Sequence, residues 1–228
     1  MTLLVVGCLT FAGMHLLLSS GPVRRALSGA LGDRGFAGIY SLVALAGFVM
    51  IVLGWRGAPF LPLWDAPAWT RWLPNVAMPI AFVLLVCAVT TKSPTAAGKP
   101  GVAPTTDTVG IVRVTRHPML WAFGLWGLSH VPTNGDQRSV LLFATFVVLS
   151  FGGMLHIDAR RAAAFPDAWA SIAKATSLVP FVAIAQGRNR LVLGEIGPWR
   201  VLGGLVLWAA SLHFHKVLLA VSPLPLLR

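Results

Sequence analysis

The sequence predicts an all-α fold, a polytopic membrane helix bundle of about six transmembrane helices. Composition is the first reason: 56% of residues are apolar and only 11% charged, with a mean hydropathy of +0.77, far from a soluble globular domain. Charge placement is the second. Six apolar spans, at about 2–20, 36–54, 75–91, 117–132, 139–157 and 198–220, hold no Asp or Glu, and the seven carboxylates of the 228-residue chain fall in the gaps. Helices of roughly 17 to 23 residues cross a hydrocarbon core of about 30 Å.

The first span ends in Ser19, Ser20 and Gly21, small residues of the kind that precede a leader cleavage site. It begins Met1-Thr2-Leu3 with no basic segment, and Arg24-Arg25 follow it, so a retained helix is expected. Between the second and third spans, Trp55, Trp64, Trp69 and Trp72 alternate with Pro59, Pro62, Pro67 and Pro74. That composition suits the headgroup region, as an aromatic belt or a partial lid. The Thr- and Pro-containing stretch 98–108 after the third span reads as a flexible loop. The fourth span is the shortest. The gap 158–197 is broken by Pro166 and Pro180 and is too short for a soluble domain, which leaves one membrane domain over 1–228.

The net charge of +11 is spread over short loops and not gathered on one soluble face, so nucleic acid is excluded as a partner. The bilayer is the partner that the composition implies. Arg and Lys concentrate in the gaps after the first, third and fifth spans. The positive-inside rule therefore places those gaps in the cytoplasm and both termini outside. Cys8 and Cys87 lie in apolar spans without a Cys-x-x-Cys pair, as packing residues do.

Histidines lie inside these spans or at their ends where carboxylates do not, and a neutral imidazole is also a good ligand for transition metals. His15 has Phe11 one turn before it and Ser19 one turn after it. The hydroxyl can orient the ring as partners of metal-bound histidines do, or the ring can bond to a neighbouring helix. Arg116 and His117 precede Pro118, a residue suited to a first helical turn, after an extended segment that ends at Thr115 or Arg116. Two basic groups at a helix N-terminus suit an anion, or serve as a snorkelling anchor. Gly124 and Gly127 on that helix admit a flat ligand or another helix. His130 ends the fourth span, and His156 ends the fifth with Gly152 one turn before it. His213 and His215 diverge by about 200° on a helix, so at most one of them serves a common site.

The run Thr115-Arg116-His117-Pro118-Met119-Leu120-Trp121, then Trp126-Gly127-Leu128-Ser129-His130, Asp158-Ala159-Arg160-Arg161, Trp169, Thr176, Val179-Pro180-Phe181 and Gly187-Arg188 resembles the NnrU family. That family is similar to the plant and cyanobacterial 15-cis-zeta-carotene isomerase. The resemblance implies a multi-pass protein of the bacterial inner membrane, associated with denitrification through nitrite and nitric oxide reductase function. It also implies haem b as cofactor, with axial ligands at the positions of His15 and His130. The isomerase's alternate cysteine ligand, three residues before the second histidine, falls on Gly127. Depth along straight helices sets His15 roughly 15 to 20 Å from the level of His130, so His117 and His156 stand beside the family pair as alternates.

Three functions follow. The first is a haem-binding membrane protein that, if enzymatic, performs redox-gated cis-trans isomerisation of an apolar polyene. The second is an S-adenosylmethionine-dependent methyltransferase of the isoprenylcysteine type, with Arg116 and His117 at a cofactor mouth and Trp169 or Phe181 stacking on adenine. The third is a non-catalytic membrane assembly or regulatory subunit of unspecified partners.

Overall fold

The fold was analysed in a computed structural model that describes residues 1–95, 103 and 105–224. Its elements are α1 (Thr2–Gly13), a π-helical turn (Met14–Leu18), α2 (Gly21–Gly57), a 3-10 turn (Ala68–Arg71), α3 (Trp72–Thr90), a second 3-10 turn (Gly110–Arg113), α4 (Pro118–His130), α5 (Gln137–Ala164), α6 (Pro166–Ala175), α7 (Val182–Ala185), α8 (Leu193–Ile196) and α9 (Pro198–Leu219). The all-α membrane bundle is therefore what the chain adopts. Most of the expected loop 98–108 lies outside the described residues.

Helices containing α2, α3, α5 and α9 are long and apolar enough to cross a bilayer, and Thr2–Leu18 is a shorter apolar helix. The protein is a multi-pass membrane protein. The expected fourth span is corrected: α4 has 13 residues, about 20 Å at 1.5 Å per residue, too short to cross unaided. Large apolar side chains such as Leu9, Leu42, Val76, Val148 and Leu202 are exposed, as lipid allows and water penalises.

Local chemistry sets the boundaries. Proline stands in the first turn of α2, α6 and α9, where its missing N–H costs nothing. Within α2, Gly32 has φ +71 and divides a basic segment, with Arg24 and Arg25, from the apolar part that follows. Asp33 beside that kink and Asp158 inside α5 correct the expectation that every carboxylate lies in a gap. Membrane helices continue past the hydrocarbon, and hydropathy reports only the part inside it.

Two compact units divide the chain, Met1–Pro67 with Gly127–His156 and Ala68–Trp126 with Ile157–Arg228. In the first, α1 and α2 pack antiparallel with small residues at the crossing. A Cβ on Gly54 would lie 2.5 Å from the Leu4 nitrogen, one on Gly7 2.7 Å from the Ile51 nitrogen, and one on Gly47 3.0 Å from the Phe11 nitrogen. Backbones meet here because dispersion at short range holds membrane helices together where burial from water cannot. Leu4, Cys8 and Ile51 form the buried cluster. Gly135 sits under the 55–67 segment, whose Leu63 and Trp64 N–H groups donate to its carbonyl at 2.6 and 3.2 Å. Trp64, Trp69 and Trp72 are all exposed, as in a belt.

In the second unit, α3 and α9 approach in the same manner, with a Cβ on Gly204 placed 2.6 Å from Val83 Cα. Arg200 Nε donates to Thr90 Oγ1 at 2.8 Å and Asn75 Nδ2 to the Pro223 carbonyl at 2.8 Å. Ala81, Leu84, Cys87, Ile111, Val114 and Ala122 form its core. Cys8 and Cys87 are buried free thiols, as expected of packing residues.

Candidate functional site

The first unit carries a histidine layer built around the π-helical turn at Met14–Leu18. A π-turn displaces the regular carbonyl pattern and recurs at functional positions. His15 Nδ1–H donates to the Phe11 carbonyl at 2.7 Å. That bond fixes the neutral tautomer and leaves the Nε2 lone pair as the outward donor atom. The ring packs on Phe11 at 4.4 Å and meets Tyr40 edge-on at 5.6 Å.

Ser19 has a different role from the one expected. Its hydroxyl donates to the His15 carbonyl, so the ring of His15 is oriented by Phe11 and not by Ser19. With its proton committed, Ser19 Oγ accepts from His156 Nε2–H at 3.1 Å. His156, 137 residues away in sequence, thus joins the layer of His15. Gly152, one turn before it, would direct a Cβ into open space with no atom within 4 Å, so among the described residues no neighbouring helix takes that room.

His130 stacks on Phe143 at 4.8 Å, and Ser129 Oγ lies 3.3 Å from its Nδ1. Phe146, one turn further along α5, contacts Phe11 at 5.7 Å. Ring contacts thus run from His15 through Phe11 to Phe146, and from Phe143 to His130. Gly127 holds α4 against α5: a Cβ there would meet the Phe143 carbonyl at 2.8 Å and Val147 Cγ2 at 2.7 Å. Helix packing, not a flat ligand, occupies that glycine.

The second unit places Arg116 and His117 at the start of α4. The preceding residues form a 3-10 turn at Gly110–Arg113, not the extended segment that was expected, because the positive φ of Gly110 (+59) lets the backbone turn beneath Glu195. That carboxylate accepts the Gly110 N–H at 2.7 Å and takes the Arg113 guanidinium in bidentate fashion, at 2.7 and 2.8 Å. Arg113 first, then the Gly110 amide, holds the Glu195 carboxyl down from its ordinary 4.5 to about 2. Burial is minor for a carboxylate bonded so fully at the surface.

The anion that meets the basic pair is the chain's own. Asp158 Oδ2 accepts from Arg116 Nε at 2.9 Å and Nη2 at 2.5 Å, while Oδ1 accepts from His117 Nε2–H at 2.7 Å. The Arg116 guanidinium lies over Trp169 at 5.8 Å. Trp169 is therefore buried under an arginine, and Phe181 sits exposed in a left-handed turn at φ +65, neither poised as the adenine clamp of the methyltransferase reading. Asp158 stood in the motif, but its pairing with Arg116 and His117 was not legible there, since 41 positions separate it from His117. At the end of α9, His213 meets Phe214 edge-on at 4.9 Å, and His215 Nδ1–H donates to the Val221 carbonyl at 2.8 Å. Among the described residues, no group of three or more His, Cys, Asp or Glu is arranged to hold a metal ion.

A haem asks less of the protein, because the macrocycle supplies four ligands and the chain one or two. His15 would suit haem iron by the chemistry of its donor set, a tautomer fixed through Nδ1 with Nε2 left as the donor atom. The His15 and His130 pair would have to bring both rings within about 2 Å of one metal, past the phenyl rings that line the path between them.

The chain is 32% identical over 82 residues to 15-cis-zeta-carotene isomerase, chloroplastic, of Zea mays, and 33% identical over 82 residues to the Arabidopsis thaliana protein of the same name. Each match covers 36% of this chain and 22% of the relative, so the chain spans about a fifth of the length of these curated relatives. No solved structure matches. The NnrU protein pattern matches residues 3–223, nearly the whole chain, and the protein belongs to the NnrU family.

Proposed function

We propose that this protein binds haem b through His15 in its membrane bundle and serves cis-trans isomerisation of an apolar polyene, in the bacterial cytoplasmic membrane with both termini periplasmic. The observation that carries the reading is the His15 Nδ1–H bond to the Phe11 carbonyl at 2.7 Å. It holds the ring in one tautomer within a π-turn and leaves Nε2 as the donor atom that a ligand would use, as the backbone partners of metal-bound histidines do. Partial identity to two isomerases of a polyene supports the substrate class. His15 would hold the haem, whose reduced iron would supply the electron density for rotation about a conjugated double bond. The chain's own part is to orient His15 through Phe11 and Tyr40, and to exclude water with the apolar helices around it.

His130 and His156 are the two candidates for the second axial position. His130 carries the family correspondence, and His156 shares Ser19 with His15. The denitrification link belongs to the same reading, since a haem with an exchangeable position binds nitric oxide.

The test is purification in mild detergent from haem-replete cells, with oxidised and reduced spectra and a pyridine haemochrome assay. A stoichiometric Soret band that disappears in His15→Ala supports the reading, and 15-cis-zeta-carotene then converts only with the reduced protein. Full haem retention by His15→Ala defeats it. Binding of nitric oxide to the reduced protein, seen as a Soret shift, tests the denitrification link.

A further inference from the structure

The part of α2 before Gly32 is not needed to cross the membrane. Residues 35–55 hold no charged side chain and reach about 31 Å as a helix at 1.5 Å per residue, enough for a hydrocarbon core of roughly 30 Å. Gly32, at φ +71 and ψ 163, breaks the helix ahead of them, so the turns at 21–31 take a direction of their own where the chain passes from α1 into α2. Successive residues of those turns stand about 100° apart around the axis. Val23, Ala26, Leu27, Ala30 and Leu31 therefore fall on one face, and Arg24, Arg25, Ser28 and Gly29 on the other. Val23 is 37% exposed and Leu31 46%, so the apolar face is not used up in the protein's own core.

The opposite face is basic and uncompensated. Arg25 and Arg34 are exposed and Arg24 is half-buried, and none of the three forms an ion pair among the described residues. Asp33, also exposed, is the one carboxylate before Asp65. The Arg24 guanidinium lies over the Phe36 ring at 5.4 Å, and Phe36 is buried beyond the kink, which ties the short segment to the part of α2 that spans the bilayer. A helix with an apolar face and an arginine-bearing face at the membrane surface lies in the interface, acyl chains against one side and headgroups against the other. Guanidinium is charged at every physiological pH and matches the geometry of a phosphate. We infer that residues 21–31 form an interfacial helix that binds anionic phospholipid, with acyl chains against Val23, Leu27 and Leu31 and the phosphate on Arg24 and Arg25. A zwitterionic lipid brings a cation of its own beside the two guanidinium groups and is bound less well. The site lies wholly in the unit Met1–Pro67 with Gly127–His156 and is independent of haem on His15.

The test equilibrates the full-length protein in non-ionic detergent with equal amounts of phosphatidylglycerol and phosphatidylcholine of the same acyl chains, and reads the retained lipid by native mass spectrometry. Phosphatidylglycerol is expected to dominate the first bound lipid. Arg24→Gln and Arg25→Gln should each cut the ratio of the two lipids about fivefold, the effect of one arginine at an anionic surface. Arg24→Lys keeps the charge and should keep the ratio, which separates lost electrostatics from a disturbed fold. Glycerol phosphate, the headgroup without its chains, is expected to leave the bound lipid in place. Equal retention of both lipids by the unmodified protein overturns the inference. So does a ratio unchanged in the double variant Arg24→Gln with Arg25→Gln, which moves the lipid to another basic loop. Displacement by glycerol phosphate at the concentration of the lipid overturns it as well, because the arginines then hold free phosphate.

Discussion

The two compact units treat their imidazoles in opposite ways. In Met1–Pro67 with Gly127–His156, His15 bonds to a backbone carbonyl and His156 to a serine hydroxyl. In Ala68–Trp126 with Ile157–Arg228, His117 bonds to a carboxylate that an arginine already neutralises. Neutral partners fix a tautomer at little electrostatic cost, which leaves the ring free to take up an external ligand. An ion pair stabilises its own surroundings and commits three side chains to one another.

The largest effect that would break this comparison is on haem. His15→Ala is expected to remove all of the bound pigment while His117→Phe retains it; the reverse result in reduced-minus-oxidised spectra would exchange the roles of the two units. His130→Ala and His156→Ala, measured alongside, identify the second ligand as whichever variant converts the low-spin spectrum to high-spin.

The next effect is on stability. Asp158→Ala leaves Arg116 and His117 facing each other without a carboxylate, and breaking this partly buried pair is expected to cost about 2 to 3 kcal/mol, below the range for a fully buried one. Ser19→Ala removes only neutral hydrogen bonds and costs about 1 kcal/mol. Denaturant unfolding in detergent separates the two, and equal losses would erase the contrast.

Packing comes third. Gly54→Ala drives a methyl to within 2.5 Å of the Leu4 nitrogen and is expected to destabilise by about 1 to 3 kcal/mol. Gly152→Ala meets nothing within 4 Å and stays within about 0.5 kcal/mol in the same assay. Its effect appears only if haem occupies the open space, as weakened pigment binding.

The smallest effect is a pH limb. Glu195 is held at about 2 against its ordinary 4.5, so the unfolded chain binds its proton more readily than the folded one. Its stabilisation is complete above pH 4.5 and is lost as pH falls from about 4.5 towards 2. Glu195→Gln should flatten that acid limb while leaving the haem spectrum unchanged.

Much of this was legible in the residues. Hydropathy located the apolar helices because the bilayer imposes one length and one polarity on them. Pro118 announced the start of α4, and the motif combination announced the family. Helix ends were less legible: α5 runs to Ala164, since a helix leaving the hydrocarbon keeps its backbone bonds while its composition changes. Periodicity put both Phe11 and Ser19 one turn from His15, and both bonds form at that spacing, but which of the two meets the ring and which meets the backbone is set by rotamers that spacing does not encode.

By itself, then, the sequence determined that the chain is an all-α membrane protein, where its apolar helices run, which family it belongs to, and that histidines sit where apolar helices leave few other titratable groups. Solvent and covalent geometry act on each segment alone, so a segment suffices to read them. Only the tertiary structure decided that Ser19 joins His15 to His156, that Asp158 answers both Arg116 and His117, and that Gly127 serves a helix crossing. Those contacts depend on the register and rotation of helices far apart in the chain, which packing sets and no local pattern encodes.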